Sequence, residues 1–175
     1  MIKRLVLGGV IVTVLLAITI YAWLGGFQDE QIERVSHGVR TVVGTPYQGA
    51  YGDLALRKIF VTTQERLQEN QELGALVVIN YDSLADAKEI NQLIGILTEP
   101  AFGMLQSGQT VDTLSAGDYL RLRLYGHPVV RPTPAQVQDK ARRYAAEYQL
   151  NLLPLAIEYY FDADSIWVEF PIEAD

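Results

Sequence analysis

Cysteine is absent from the 175 residues, and histidine occurs only twice, at positions 37 and 127. These absences exclude a disulfide framework, a thiolate nucleophile, a cysteine-rich zinc site and any three-histidine metal centre. No metal and no cofactor are therefore expected. His37, in a polar stretch, and His127, beside Pro128, read as polar surface rather than as haem ligands. No serine stands in a nucleophile-elbow pattern, and no glycine-rich phosphate loop follows a strand. The pair Asp162 and Asp164 lacks the remaining ligands and the glycine of a calcium loop. Positive charge is also in deficit. Fourteen basic against 21 acidic side chains leave a formal charge of -7, which repels phosphate backbones and argues against nucleic acid as a partner. Hydrophobic residues make up 49% of the chain, enough for a folded domain.

Charge is missing altogether from Leu5–Leu24, LVLGGVIVTVLLAITIYAWL. At about 1.5 Å per helical residue such a run spans the ~30 Å hydrocarbon core. Lys3 and Arg4 flank one end, while Tyr21 and Trp23 stand near the other, followed by Asp29, Glu30 and Glu33. Basic residues stay on the cytoplasmic side, so the expectation is a single-pass anchor with residues 1–4 cytoplasmic and the remainder extracytoplasmic, periplasmic in a bacterium. A cleaved signal peptide fits less well, because its apolar core is shorter and ends in small residues. Residues 25–38 read as a polar linker, and residues 39–175 as one domain.

Within that domain two strand, helix, strand, strand units follow one another, the first ending near Glu99. Val39–Gln48 reads as a strand; Asp53 caps a helix with Leu56, Phe60, Thr63 and Leu67 at helical spacing; Leu73–Asp82 and Ile90–Thr98 are further strands. In the second unit Tyr119–Tyr125 alternates Leu120, Leu122 and Leu124 against Tyr119, Arg121, Arg123 and Tyr125, with the arginines read as a solvated face. Thr133-Pro134-Ala135-Gln136 has the form of a capping box before a helix that ends near Leu150. Ala156–Phe161 and Ile166–Ile172 form a last hairpin around residues 162–165. The expected fold is α+β, a duplicated βαββ arrangement with helices on one side of an antiparallel sheet.

Pairing Phe161 with Ile166 in that hairpin sets Glu158 opposite Glu169 and Tyr160 opposite Trp167. Ile157, Tyr159, Phe161, Ile166, Val168 and Phe170 then form one face, and Glu158, Tyr160, Trp167 and Glu169 the other. A face of aromatics and carboxylates suits either a cleft for a cationic organic molecule or a solvated surface with snorkelling rings.

The segments GAYGDL, VVINYD, AGDYLRLRLYG and IEYYFDADSIWVEFPIE, in this order and spacing, resemble the GyrI-like small-molecule-binding domain of effector-binding transcription regulators, a relative of the SOUL fold. Behind an apolar helix, the arrangement is also similar to that of endoplasmic-reticulum-phagy receptors carrying this domain. The resemblance implies a pseudo-twofold domain with a central cleft that binds cationic or aromatic small molecules on a buried glutamate. Glu158 is the matching position, with Trp167, Tyr51, Tyr160 and Glu169 as companions. The leading expectation is binding without turnover. The alternatives are a hydrolase of reactive small molecules using a cleft glutamate as general base, and an interaction or scaffold protein with a membrane or envelope partner.

Overall fold

The computed structural model describes residues 2–69, 74–82, 89–98, 107–161 and 165–174. Among the described residues eight strands and three helices follow one another. They are α1 (Ile2–Trp23), β1 (Gln31–His37), β2 (Arg40–Gly49), α2 (Leu54–Glu69), β3 (Leu76–Asn80), β4 (Ile90–Thr98), β5 (Thr110–Leu114), β6 (Gly117–Tyr125), α3 (Pro134–Glu147), β7 (Ala156–Tyr160) and β8 (Ser165–Pro171). The strands form one antiparallel sheet in the order β1-β6-β8-β7-β3-β4-β2-β5. The central six strands read as a palindrome about the β7–β3 junction, which is the pseudo-twofold order of the two expected βαββ units. Each unit lends its preceding strand to the other: β1 pairs with β6, and β5 with β2.

Both helix starts follow local chemistry. Asp53 Oδ1 accepts a hydrogen bond from the Ala55 amide at 3.0 Å. Thr133 and Gln136 close the expected capping box, with Pro134 at the first turn, where its missing N–H costs nothing. Leu56, Ile59, Phe60 and Leu67 of α2 pack on Tyr47, Leu76, Val78 and Ile94. Val137 and Ala141 of α3 pack with Leu120, Leu122, Leu124, Val168 and Phe170. The two helices therefore cover the same face of the sheet. The opposite face buries its own core of Val42, Val77, Ile79, Leu93, Leu114, Tyr119, Ile157 and Tyr159. Gly44 faces Gly95 across β2 and β4. A Cβ on Gly95 would lie 2.8 Å from the Gly44 Cα and 2.5 Å from the Val43 carbonyl oxygen, so this close approach requires glycine.

Several expectations are corrected. Residues 25–38 are not merely a linker, because Gln31–His37 forms β1, on which Ile32 and Val35 pack against opposite cores. Its spacing is a strand period masked by charges that pair across to β6. His37 accordingly belongs to a strand, not to polar surface. Arg121 is not solvated: it is 9% exposed and held in an ion network. The turn expected at residues 162–165 and the end of the first unit at Glu99 lie largely outside the described residues.

The register of the last hairpin also differs. Ile157 pairs with Glu169, Glu158 with Val168, Tyr159 with Trp167 and Tyr160 with Ile166. Tyr160 meets Ile166 rather than Trp167, so the register closes one residue earlier than expected, and a one-residue slip turns one strand over relative to its partner.

Helix α1 has 22 residues. Among the described residues no helix is long and apolar enough to cross a membrane. The crossing expected for residues 5–24 is thus not established by the fold.

Candidate functional site

Strand alternation sends Leu76, Val78 and Asn80 of β3, Gln92 and Ile94 of β4, Glu158 and Tyr160 of β7, and Ile166 and Val168 of β8 toward the helices. Over the sheet centre the starts of α2 and α3 stand apart, leaving a cavity of about 870 Å³. Val78, Ile94, Leu124, Ile166 and Val168 form its apolar floor; Tyr51, Leu56 and Phe60 line one wall, and Pro132, Ala135 and Val137 the other. Its volume is that of a pocket for a drug-sized molecule.

The polar groups on the floor are hydrogen-bonded to one another. Gln92 Nε2 donates to Asn80 Oδ1, Asn80 Nδ2 donates to Glu158 Oε1 at 2.9 Å, and the Tyr160 hydroxyl donates to Glu158 Oε2 at 2.6 Å. Phe60 meets the Tyr160 ring edge-on at 5.2 Å between centroids. Glu158 is enclosed by protein and keeps its remaining exposure through the cavity. Burial pushes its carboxyl above the usual range, against the lowering effect of the Tyr160 and Asn80 hydrogen bonds. Burial, then the neighbouring Glu158 charge, pushes the Tyr160 phenol well up as well. Among the described residues no group of His, Cys, Asp and Glu is arranged to hold a metal ion.

Of the five residues expected in the site, the structure brings together Glu158, Tyr160 and Tyr51, the last at the exposed rim with 68% accessibility. Trp167 and Glu169 do not belong to it. The hairpin register carries both to the opposite face, where Glu169 is fully buried. There Glu169 takes hydrogen bonds from Arg40 at 3.0 Å and Arg121 at 2.8 Å, with His37 Nε2 also at 3.0 Å. Burial alone would raise its carboxyl; the Arg40 charge, the Arg121 hydrogen bond and His37 outweigh that and hold it below the ordinary value. Trp167 is stacked under Arg121 at 4.3 Å and Arg123 at 5.0 Å, beside Phe161. Both residues thus belong to an ion network on the face away from the cavity. Sequence reasoning missed Asn80 and Gln92. Their signal is a polar amide at the core parity of strands that are otherwise apolar.

No family model and no curated protein matches the chain. Solved structures do. The chain is similar to the C-terminal domain of EcmrR (TM-score 0.62, 12% identity, 85% of this chain and 100% of that one). It is similar to SAV2435 bound to tetraphenylphosphonium (TM-score 0.53, 17% identity, 84% and 95%). It is also similar to a hydrolase from Listeria innocua (TM-score 0.56, 10% identity, 82% and 92%). At these identities the likeness concerns the fold alone, which is consistent with the GyrI-like fold expected above. EcmrR is also seen in a complex with DNA (TM-score 0.63, 13% identity, 98% and 70%). The exclusion of nucleic acid expected from the acidic charge balance is not supported.

Proposed function

We propose that this chain binds a small organic cation in the cavity between α2 and α3, with the ligand's positive charge against Glu158 and its apolar body against Phe60, Tyr160 and Tyr51. The observation that carries this reading is Glu158 itself: a carboxylate removed from bulk water that, among the described residues, is hydrogen-bonded by the neutral donors Asn80 and Tyr160. A desolvated carboxylate without a paired charge is costly, and a cation entering an aromatic-lined cavity relieves that cost. The tetraphenylphosphonium bound to SAV2435 is a ligand of this chemistry on the same fold. Isothermal titration of the full chain with tetraphenylphosphonium, and with triphenylphosphine oxide as a neutral comparator, tests the reading. Selective binding of the cation that weakens at least tenfold in Glu158→Gln is expected. Equal affinity in the variant would overturn it.

A second reading has support from the raised carboxyl of Glu158 and from the Listeria hydrolase of the same fold. A carboxylate so placed is suited to proton transfer from water near neutral pH. Turnover of an electrophilic substrate, lost in Glu158→Gln with binding retained, would establish it.

The proposal includes a membrane tether in α1, with the N-terminus cytoplasmic and the domain extracytoplasmic. Its support is the uncharged run of residues 5–24 and the outward exposure of Val10, Ile11, Leu15, Leu16 and Ile18. The hydroxyls of Thr13 and Thr19 donate back to the Gly9 and Leu15 carbonyl oxygens, so neither hydroxyl is left unpaired in an apolar medium.

A further inference from the structure

Gln92, Asn80 and Glu158 lie on β4, β3 and β7, three neighbouring strands. Gln92 is the register partner of Asn80, and Asn80 that of Ala156, two residues before Glu158. Gln92 and Asn80 are 8% and 4% exposed. An asparagine amide can present either its donor or its acceptor to a neighbour. Here the Gln92 Nε2–H occupies Asn80 Oδ1, so Asn80 has only its Nδ2 donors to offer on the other side, which reach Glu158 Oε1 and the Ala156 carbonyl. Every proton in the chain points toward Glu158. The Tyr160 hydroxyl supplies the second oxygen from the other flank.

The donor that Gln92 fixes on Asn80 suits an ionised oxygen at Glu158 Oε1 and cannot accept a proton from a carboxylic acid there, whereas the Tyr160 hydroxyl at Oε2 serves either form. Burial works in the opposite direction, favouring the neutral acid. We propose that Gln92, through Asn80, is a positioning residue that keeps Glu158 an ionised acceptor, so that the cavity takes up a ligand's positive charge rather than a proton. This rests on the cation-binding reading above and assigns its control to two residues that need not touch the ligand's charge. The other charged groups lining the cavity are Asp53 and Arg57 from the α2 side, Asp82 after β3 and Arg131 before α3.

The test uses the full chain and two readouts. The first needs no ligand: the Glu158 side-chain carboxyl carbon is titrated by nuclear magnetic resonance in the wild type and in Gln92→Met, which keeps the length of the side chain but has neither donor nor charge. The midpoint is expected to move upward in the variant. The second is tetraphenylphosphonium affinity against pH. At neutral pH it is expected to fall roughly three- to tenfold, with recovery as pH rises, because losing a hydrogen bond to the charged form favours the proton. Packing alone would lower the melting temperature and leave the Glu158 midpoint in place, and that result overturns the proposal. Should Gln92→Met fail to fold, Asn80→Ser removes the last donor of the chain and must show the same upward movement. If the midpoint moves while the wild type ignores tetraphenylphosphonium, the relay stands and the cation-binding reading falls. An unmoved midpoint with intact cation selectivity gives the reverse.

Discussion

Glu158 and Glu169 stand on adjacent strands of one hairpin yet face opposite sides of the sheet, because Glu158 pairs with Val168 and Glu169 with Ile157. One carboxylate faces a cavity and neutral donors; the other is locked among Arg40, Arg121 and His37. Their consequences for stability have opposite sign.

Glu158→Gln should stabilise the protein at neutral pH. The folded carboxyl is raised, so its ionisation opposes folding above the unfolded value and has no effect when pH lies below both values. A gain at pH 7 that vanishes as pH falls below the ordinary carboxyl value is expected in urea denaturation. A destabilised variant at pH 7 would contradict it.

Glu169→Gln should cost about 3–5 kcal/mol, because it leaves the guanidinium groups of Arg40 and Arg121 without their buried counter-charge. The folded carboxyl is lowered, so the stability it contributes is present above the unfolded value and is lost as pH falls through the folded one. Wild type and variant should therefore converge in acid. Denaturant midpoints measured from pH 7 down to pH 3 will show whether the gap closes.

Trp167→Phe should leave tetraphenylphosphonium affinity within about twofold of the wild type, whereas Tyr160→Phe, which removes a donor to Glu158, should weaken it several-fold. The tryptophan carries Arg121 and Arg123 on its ring and lies across the sheet from the cavity. A large affinity loss in Trp167→Phe at unchanged melting temperature would place the ligand on the wrong face.

The absence of native cysteine makes topology directly measurable. Lys58→Cys, on the exposed side of α2, should react with a membrane-impermeant maleimide from outside intact cells. Lys3→Cys should react only after the cells are opened. Labelling of both before lysis, or of neither, argues against the proposed orientation.

Much of the fold is legible in the sequence because period-two and period-3.6 patterns report which side chains share a face within one element. The alternation of Leu120, Leu122 and Leu124, the Thr133 capping box and the Asp53 start of α2 all depend on residues within a few positions of each other, and all three stand. The β1 strand escaped because its charges are partnered on β6: Glu33 with Arg121 and Arg123, and Arg34 with Asp118. Charges that look solvated in isolation are sheet contacts once the partner strand is known.

The sequence by itself determined that Glu158 and Tyr160 share one side of β7, that Trp167 and Glu169 share one side of β8, and that two βαββ units build the domain. Only the tertiary structure decided which side of β8 meets which side of β7, and so which carboxylate reaches the cavity. Alternation is a property of one chain segment, but register is set by the length of the connection and by what both faces of the sheet must bury, including the arginines that hold Glu169 on the far side.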